Sequence, residues 1–452
     1  MPQDYLGNPI STRDADARAA IDDFIHGTLA YETRAERIVA AAERSDDPLT
    51  NAYAGFLTMF LESPQAPALA SRYLQRAQYA LGPGQLPREH AIVRLLRHWI
   101  DDDLPAALAS SEALLEQFPR DLFALKFNHY LRFNLGDFAG MLRVALKALP
   151  HTREIPYVHG MLAFAYEQCH LLEQAEAAAR QALALQPREP WAQHALAHVL
   201  LTEGRIEEGT AFLEEASGHW QGLNSFMYTH NWWHLALFHL ARGHDARVLE
   251  IYDRHVWGIF PEYSQDQVGA VSLLARLELA GIDVGERWQQ LAPYLRTRAN
   301  DTVQPFLSLQ YLYGLTRIGA AEAGQLLQAL HARAEQADDF LRPVWKQITL
   351  PAAEGLYAHA QGRYELAAER LDQSLPRLVQ VGGSHAQRDL FALVNQDAHL
   401  RAGHWSSAQQ LLELRRRYDP LDVPANRALA RVYTALGIDQ EAARAAARAG
   451  IA

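Results

Sequence analysis

Small residues and prolines recur in this chain at the spacing of paired helices. In the clearest unit, the residues that mark the spacing are Leu162, Ala163, Tyr166, Ala175, Ala179, Ala182 and Pro187. Small side chains let two antiparallel helices approach closely, and proline stops the second helix because it has no backbone donor. The next unit begins at Pro190, with Gly204 in its turn and Gly209 at the second small position. Looser copies lie upstream and downstream, so the sequence predicts a series of helical hairpins.

This spacing is that of a tetratricopeptide repeat, and alternating β-branched segments are almost absent. We therefore predict an all-α fold, a tetratricopeptide-like α-solenoid of antiparallel helical hairpins tightly curled around a central pocket. No long linker divides the chain, so residues 1–452 are expected to form a single continuous helical-repeat domain. Within it, 1–20 is an irregular lead-in, 88–257 holds the clearest repeats and a His-rich core, and 344–452 holds C-terminal repeats with a GGSHAQRD motif.

Composition narrows the classes of partner. The formal net charge is −11 and the chain has only three lysines, so bulk charge argues against nucleic-acid binding. Cys169 is the single cysteine, which excludes an intrachain disulfide and fits a reducing cytoplasm. No apolar run is long enough for a spanning helix, and the N-terminus lacks a signal-peptide core, so no membrane association is expected.

Histidines dominate the middle of the chain, where eleven of the twenty lie between His151 and His255. Two pairs are spaced four residues apart, so the members of each pair project from one helix face. The candidate site residues of this region are His194, His198, His230, His234, His159 and Glu167. Neutral imidazoles with a carboxylate would suit zinc or iron. A metal-free polar pocket that uses the four paired histidines and His385 in acid–base chemistry is the favoured alternative. Packing between helices is the structural interpretation.

Three tryptophans lie beside these histidines. Trp191 and Trp233 are candidate walls of a pocket, and at least one of the adjacent pair Trp232–Trp233 is expected to serve only as a helix contact. Thr229 is a candidate cap that would place His230 in the first turn of its helix, where the helix dipole favours the neutral imidazole.

The segment VGGSHAQRDLF forms the second candidate element. Ser384 and Gln387 have the spacing of a capping box, which indicates a structural role at a helix start. His385 and Arg388 follow within that first turn, where free backbone amides attract anions. One hypothesis is that a ligand carboxylate or phosphate binds here and accepts two hydrogen bonds from the Arg388 guanidinium. The other is that Arg388 forms an ion pair with a neighbouring acidic residue.

Four segments together resemble the tetratricopeptide repeat protein 38 family: PYVHGMLAFAYEQ, EPWAQHALAHVLLTEGRIEEG, THNWWHLALFHL and GGSHAQRDLF. The resemblance covers most of the chain, and the combination of HNWWHLAL with GGSHAQRD is its specific part. It implies an all-α repeat fold and assigns no catalytic role. It also implies one constellation, consisting of His194, His198, His230, His234, His385, Gln387 and Arg388. The chain departs from the family at LLTEGR and at Tyr166–Gln168, which weakens a carboxylate-assisted version of the site.

The sequence leaves three functions open. The leading hypothesis is a pocket lined by His, Trp and Arg that binds a small, anionic molecule and acts on it by histidine acid–base chemistry. A scaffold for protein partners or a second copy of the chain, without catalysis, is the alternative. A zinc or iron enzyme with ligands from His194, His198, His230 and His234 is the third, whereas the first two need no cofactor. Whether the protein is an enzyme stays open at this point.

Overall fold

The computed structural model describes residues 1–450, and these form helices joined by short turns. The only β-type pairings among them are two isolated bridges, Gln3 with Pro9 and Glu32 with Leu223. The all-α, tetratricopeptide-like prediction is therefore confirmed. The chain divides into two compact units: Met1–Leu196 with His219–Met227, and Ala197–Gly218 with the chain from Tyr228 onward. The single continuous domain and the tight curl stay predictions.

Ten helices precede residue 190, and successive helices pack as pairs, most extensively α9 with α10 and α3 with α4. They are α1 (Ala15–Ala30), α2 (Arg37–Ala42), α3 (Pro48–Met59), α4 (Ala66–Ala80), α5 (Pro87–Ile100), α6 (Leu104–Gln117), α7 (Leu122–Asn134), α8 (Phe138–Ala148), α9 (Pro156–Gln168) and α10 (Leu172–Leu185). Asp47 caps α3 with Pro48 at its first position, as the sequence predicts. The lead-in is shorter than predicted, because the Asp14 carboxylate accepts from two backbone amides and starts α1 at Ala15.

The remaining helices also include successive packed pairs. They are α11 (Pro190–Thr202), α12 (Ile206–Ser217), α13 (Ser225–Ala241), α14 (Asp245–Ile251), α15 (Ser264–Leu279), α16 (Arg287–Arg296), α17 (Pro305–Arg317), α18 (Glu322–Gln336), α19 (Arg342–Val344), α20 (Leu350–Ala360), α21 (Tyr364–Ser374), α22 (His385–Arg401), α23 (Trp405–Arg416), α24 (Val423–Ala435) and α25 (Asp439–Arg448). Gly209 in α12 faces the Phe238 ring so closely that a Cβ there would lie 2.1 Å from a ring carbon. The small residue at this hairpin contact is therefore required, as the repeat spacing predicts.

An ion network fixes the start of the chain within the first unit. The guanidinium of Arg88 is fully buried and lies 2.8 Å from a carboxylate oxygen of Asp4 and 2.8 Å from one of Asp121. The Tyr53 hydroxyl accepts a further bond from Arg88 at 3.3 Å. Buried charges are tolerated only when paired in this way. The ion pair between Asp4 and Arg88 of α5 therefore fixes the lead-in against α5.

Two turns in the second unit each contain a pair of histidines whose rings contact each other. The Nδ1 atoms of His239 and His244 lie 3.1 Å apart after α13, and those of His399 and His404 lie 3.2 Å apart after α22. The Nε2 of the first histidine lies 3.4 Å from Glu214 in one turn, and 3.2 Å from Asp372 in the other. Each helix end is thus closed by a hydrogen bond between side chains five residues apart.

None of the helices among the described residues combines the length and the apolar character that crossing a bilayer requires.

Candidate functional site

Three histidines of the second unit converge from two helices. His198 lies on α11, and His230 and His234 lie one turn apart on α13. Their side chains are buried, with relative exposures of 0%, 8% and 0%. One ring nitrogen from each of the three lies within 4.8 Å of the others. We call these three residues the imidazole cluster.

The spacing of the rings in the imidazole cluster matches that of ligands on one metal ion. Ring centroids are 4.5 Å apart for His198 and His234, and 4.8 Å apart for His230 and His234. Two imidazoles on a tetrahedral zinc ion, with bonds of about 2 Å, place their ring centroids about 5 Å apart. The separations of these two ring pairs are therefore compatible with ligation of a single ion.

The charge state of the cluster also suits a metal. Burial, with a contribution from the neighbouring His198, lowers the pKa of His230 to about 3. The ring is therefore neutral at physiological pH, which is the form that donates a lone pair to a metal. The cause is burial and not the helix dipole. Thr229 is not the cap, because α13 begins at Ser225 and the Asn224 side chain accepts from the Met227 amide at 3.0 Å.

The GGSHAQRD motif reaches the same cluster within the second unit. The His385 ring lies 5.3 Å from the His198 ring, and one nitrogen of each lies within 4.8 Å. The predicted capping box fixes this position, since the Ser384 hydroxyl accepts from the Gln387 amide and the Gln387 side chain accepts from the Ser384 amide. Residues 187 positions apart in the sequence thus meet at His198 and His385.

Gln387 and Arg388 have local roles in this turn. The Gln387 side chain completes the capping box, and the Arg388 guanidinium donates to the Gly383 carbonyl. These contacts do not test whether the Arg388 guanidinium binds a carboxylate or phosphate ligand, so anion binding by Arg388 stays a prediction.

Arg276 on α15 is a neighbour of the site that sequence reasoning missed. It is 3% exposed, donates to the Ala386 carbonyl at 2.6 Å, and lies 5.4 Å from the Trp233 ring. Burial lowers its pKa to about 10, so the guanidinium stays charged at physiological pH. A lone arginine in the apolar run AVSLLARLELA is the sequence signal that could have found it.

Asp389 links that arginine to the C-terminal helices. Its carboxylate contacts Arg415 and lies 4.0 Å from Arg276. Burial acts to raise the pKa of Asp389, but the charges of Arg415, Arg276 and, to a smaller extent, His385 outweigh it and lower the pKa. The carboxylate is therefore ionised between two cations.

The two adjacent tryptophans have different surroundings. Trp233 is 1% exposed and stacks on His230 at 5.4 Å with its edge near His234, so it is a wall of the imidazole cluster. Trp232 instead stacks on His255 at 3.8 Å and forms a contact between helices, as expected for one of the pair. Asn231 directly precedes them in sequence, and among the described residues its fully buried amide has no hydrogen-bond partner. It is a second residue that the sequence argument missed.

The first unit holds the other predicted residues. His194 stacks on Trp191 with ring centroids 4.4 Å apart. Glu167 is fully buried and accepts from the Gln168 amide at 2.5 Å. The His159 Nε2 lies 2.8 Å from the Arg153 carbonyl. The participation of His194, Trp191, Glu167 and His159 in one site with the imidazole cluster stays a prediction.

No family model matches this chain. A human IFIT1 dimer with m7Gppp-AAAA is 14% identical over 95% of this chain and 98% of that chain, with a TM-score of 0.41. A human IFIT1 dimer with PPP-AAAA is 15% identical over 94% and 96%, also with a TM-score of 0.41. Naa15/Naa10 bound to HypK-THB is 15% identical over 97% and 68%, with a TM-score of 0.26. At these values, none of the three carries an argument about ligand, partner or activity.

Proposed function

We propose that the second unit binds one transition-metal ion of the zinc or iron class through His198, His230 and His234. The observation that supports this most directly is the convergence of three buried ring nitrogens within 4.8 Å of one another. Neutral imidazoles prefer zinc, iron, copper or nickel over magnesium or calcium, which take oxygen ligands.

Such an ion would act on a small anionic molecule. Three neutral ligands leave the charge of the metal uncompensated and a coordination position open, as in catalytic zinc sites. A hydroxide or the anionic group of a substrate would fill that position. The positive charge of Arg276, which lies beside Trp233, also favours an anionic ligand. His385, half-buried beside His198, is the group placed to exchange a proton with that ligand.

A metal-free pocket is the second candidate, and the position of the His385 ring, 5.3 Å from the His198 ring, supports it. In that version the histidines bind the anion and move protons without a Lewis acid. Membership of the tetratricopeptide repeat protein 38 family and a cytoplasmic location are parts of the same proposal, supported by the four motifs and by the single cysteine. The scaffold function has only the repeat fold behind it.

Metal analysis of tag-free protein tests the proposal. We expect one zinc or iron ion per chain after purification or reconstitution, and a d–d absorption spectrum when cobalt replaces it. His234→Gln should abolish both signals while circular dichroism stays helical. The matched control is His359→Gln, since His359 is a buried histidine of the same unit that pairs with Asp397 at 2.8 Å.

Two results would reject the metal. One is wild-type protein that stays folded and binds neither zinc nor cobalt stoichiometrically. The other is equal loss of metal in the His359 control, which would show that metal loss does not report specifically on the imidazole cluster. In the first case, a thermal shift with phosphate or carboxylate ligands that His385→Gln removes would favour the metal-free pocket.

A further inference from the structure

Arg276 on α15 contacts both halves of the candidate site. One half is α13, which carries His230, His234 and Trp233, and the other is the first turn of α22, which carries His385. These two helices are far apart in the sequence, and α15 packs against α22 within the second unit. A residue on α15 is therefore placed to fix the two halves relative to each other.

The contact of Arg276 with α22 is a hydrogen bond to the backbone. Its Nη2 donates to the Ala386 carbonyl at 2.6 Å, and its Nη1 donates to the Ser272 hydroxyl at 3.1 Å. Ala386 directly follows His385 in the chain. The capping box fixes only the local shape of this turn, because it acts between residues three positions apart. The bond from Arg276 adds what the box lacks, a tie from this turn to another helix.

The contact of Arg276 with α13 is made through an aromatic ring. The Arg276 Cζ lies 5.4 Å from the centroid of the Trp233 ring, and a guanidinium is attracted to the face of an indole. The Trp233 ring is in turn nearly parallel to the His230 ring, with 7° between their planes, and its centroid lies 4.9 Å from that of His234. One residue therefore separates Arg276 from the imidazole cluster on this side, and one residue separates it from His385 on the other.

Packing does not account for a charged side chain at this position. Arg276 is 3% exposed, and its ion-pair partner Asp389 lies 4.0 Å away and also contacts Arg415. Removing a guanidinium from water is costly, and an apolar side chain of similar volume would join the helices without that cost. An apolar side chain lacks directional donors, whereas the guanidinium presents several in a rigid plane. Orientation of the neighbouring groups is thus a better reason for the charge than stability.

We infer that Arg276 is a positioning residue that holds His385 beside the imidazole cluster by joining the Ala386 carbonyl to the Trp233 ring. It acts through these neighbours and not on the ligand itself. The use of His385 to exchange a proton with the ligand rests on the proposed function. The placement of His385 by Arg276 does not, and the two are tested separately.

Chemical modification of the full-length protein tests the placement. Diethylpyrocarbonate acylates accessible neutral imidazoles, and mass spectrometry reads each histidine separately. Arg276→Lys replaces the planar donor group by a single point charge, so we expect His385 to react roughly threefold faster or more than in wild type, because its turn is less firmly held. The exposed His244 is the control within the same molecule. Arg298→Lys is the matched variant, since Arg298 is a second buried arginine of this unit and donates to Gln267, Asp301 and Glu262.

A second variant separates placement from stability. Arg276→Met keeps most of the side-chain volume and removes every donor, and Asp389 keeps its contact with Arg415. We expect this variant to unfold at a denaturant concentration no lower than wild type, while His385 again reacts faster.

A double-mutant cycle tests what the placement is for. Inorganic phosphate is titrated into the cobalt-substituted protein and followed by the d–d spectrum. His385→Gln should weaken phosphate binding about tenfold, the loss expected for one hydrogen bond to a charged group. Because Arg276 acts through His385, Arg276→Met should cause the same loss, and adding it to His385→Gln should cause no further loss.

Three results would overturn the inference. One is unchanged acylation of His385 in both Arg276 variants, whether or not the protein binds a metal. Another is a large loss of stability in Arg276→Met, which would make Arg276 a stabilising residue. The third is multiplication of the two losses in the cycle, which would show that Arg276 acts independently of His385. Wild-type protein that binds no cobalt would instead reject the proposed function, and the acylation rates would still decide the role of Arg276.

Discussion

His129 on α7 gives the sharpest stability prediction for this protein. It is 5% exposed, and among the described residues its Nε2 has no hydrogen-bond partner. Burial lowers its pKa from 6.5 to about 3, and the charges of Arg132 and Lys126 act in the same direction. The native state therefore keeps this ring neutral under conditions in which the unfolded chain protonates it.

The sign and size of the effect follow from proton linkage. Because the unfolded chain binds more protons between about pH 6.5 and pH 3, the free energy of unfolding falls as the pH is lowered through that range. At about pH 5.5 the cost is RT ln 11, about 1.4 kcal/mol, and one pH unit lower it is about 2.7 kcal/mol. At about pH 7.5 the same expression gives less than about 0.1 kcal/mol.

His129→Gln removes the titration and keeps a donor for the Met141 backbone. Denaturant unfolding of both proteins, followed by fluorescence and circular dichroism, gives the difference in their free energies of unfolding at each pH. We expect this difference to shift by about 1.4 kcal/mol in favour of the variant between about pH 7.5 and pH 5.5. The exposed His90 in the same unit supplies the control variant, His90→Gln. A difference for His129→Gln that stays constant over this range would refute the reasoning.

Two further predictions concern packing and charge. Arg88→Leu leaves its two carboxylate partners buried without a counter-charge, so we expect a loss of about 3–5 kcal/mol and faster proteolysis near Asp4; unchanged unfolding would show that the network is already solvated. Gly209→Ala places a methyl group against Phe238 and should destabilise by about 1–3 kcal/mol despite the better helix former. Gly324→Ala, with no atom near its added Cβ, should instead stabilise the protein by about 0.5–1 kcal/mol. Thermal unfolding should therefore show a lower melting temperature for Gly209→Ala and a higher one for Gly324→Ala.

Local chemistry made part of this fold predictable from the sequence. Asp47 before Pro48 and the Ser384–Gln387 box act through neighbours three residues away, so spacing alone identified both helix starts. Gly209 was predictable because the repeat spacing defines where two helices touch. The prediction that Thr229 caps α13 was wrong because Asn224, five residues earlier, has the same capping ability and caps the helix instead. Tertiary packing selects between such candidates.

The site was predictable only in its histidines. The four-residue spacing placed His230 and His234 together, and no local rule states that His198 and His385 meet. Arg276 was missed because Ala386 and Asp389, which it contacts at the site, lie more than a hundred residues away in sequence. Contacts of this kind depend on how hairpins stack, and composition and periodicity carry no information about stacking.

The paired imidazoles that close two helix ends restrict the tautomers of their rings. In each pair the two Nδ1 atoms lie within hydrogen-bond distance, so in the neutral rings one Nδ1 carries a proton and the other accepts it. The Nε2 atoms of His239 and His399 face the carboxylates of Glu214 and Asp372, which can only accept when ionised. A neutral His239 or His399 therefore carries its proton on Nε2 and accepts at Nδ1, and His244 and His404 are the Nδ1 donors. An acidic residue on a neighbouring helix thus fixes the direction of the hydrogen bond that closes each helix end.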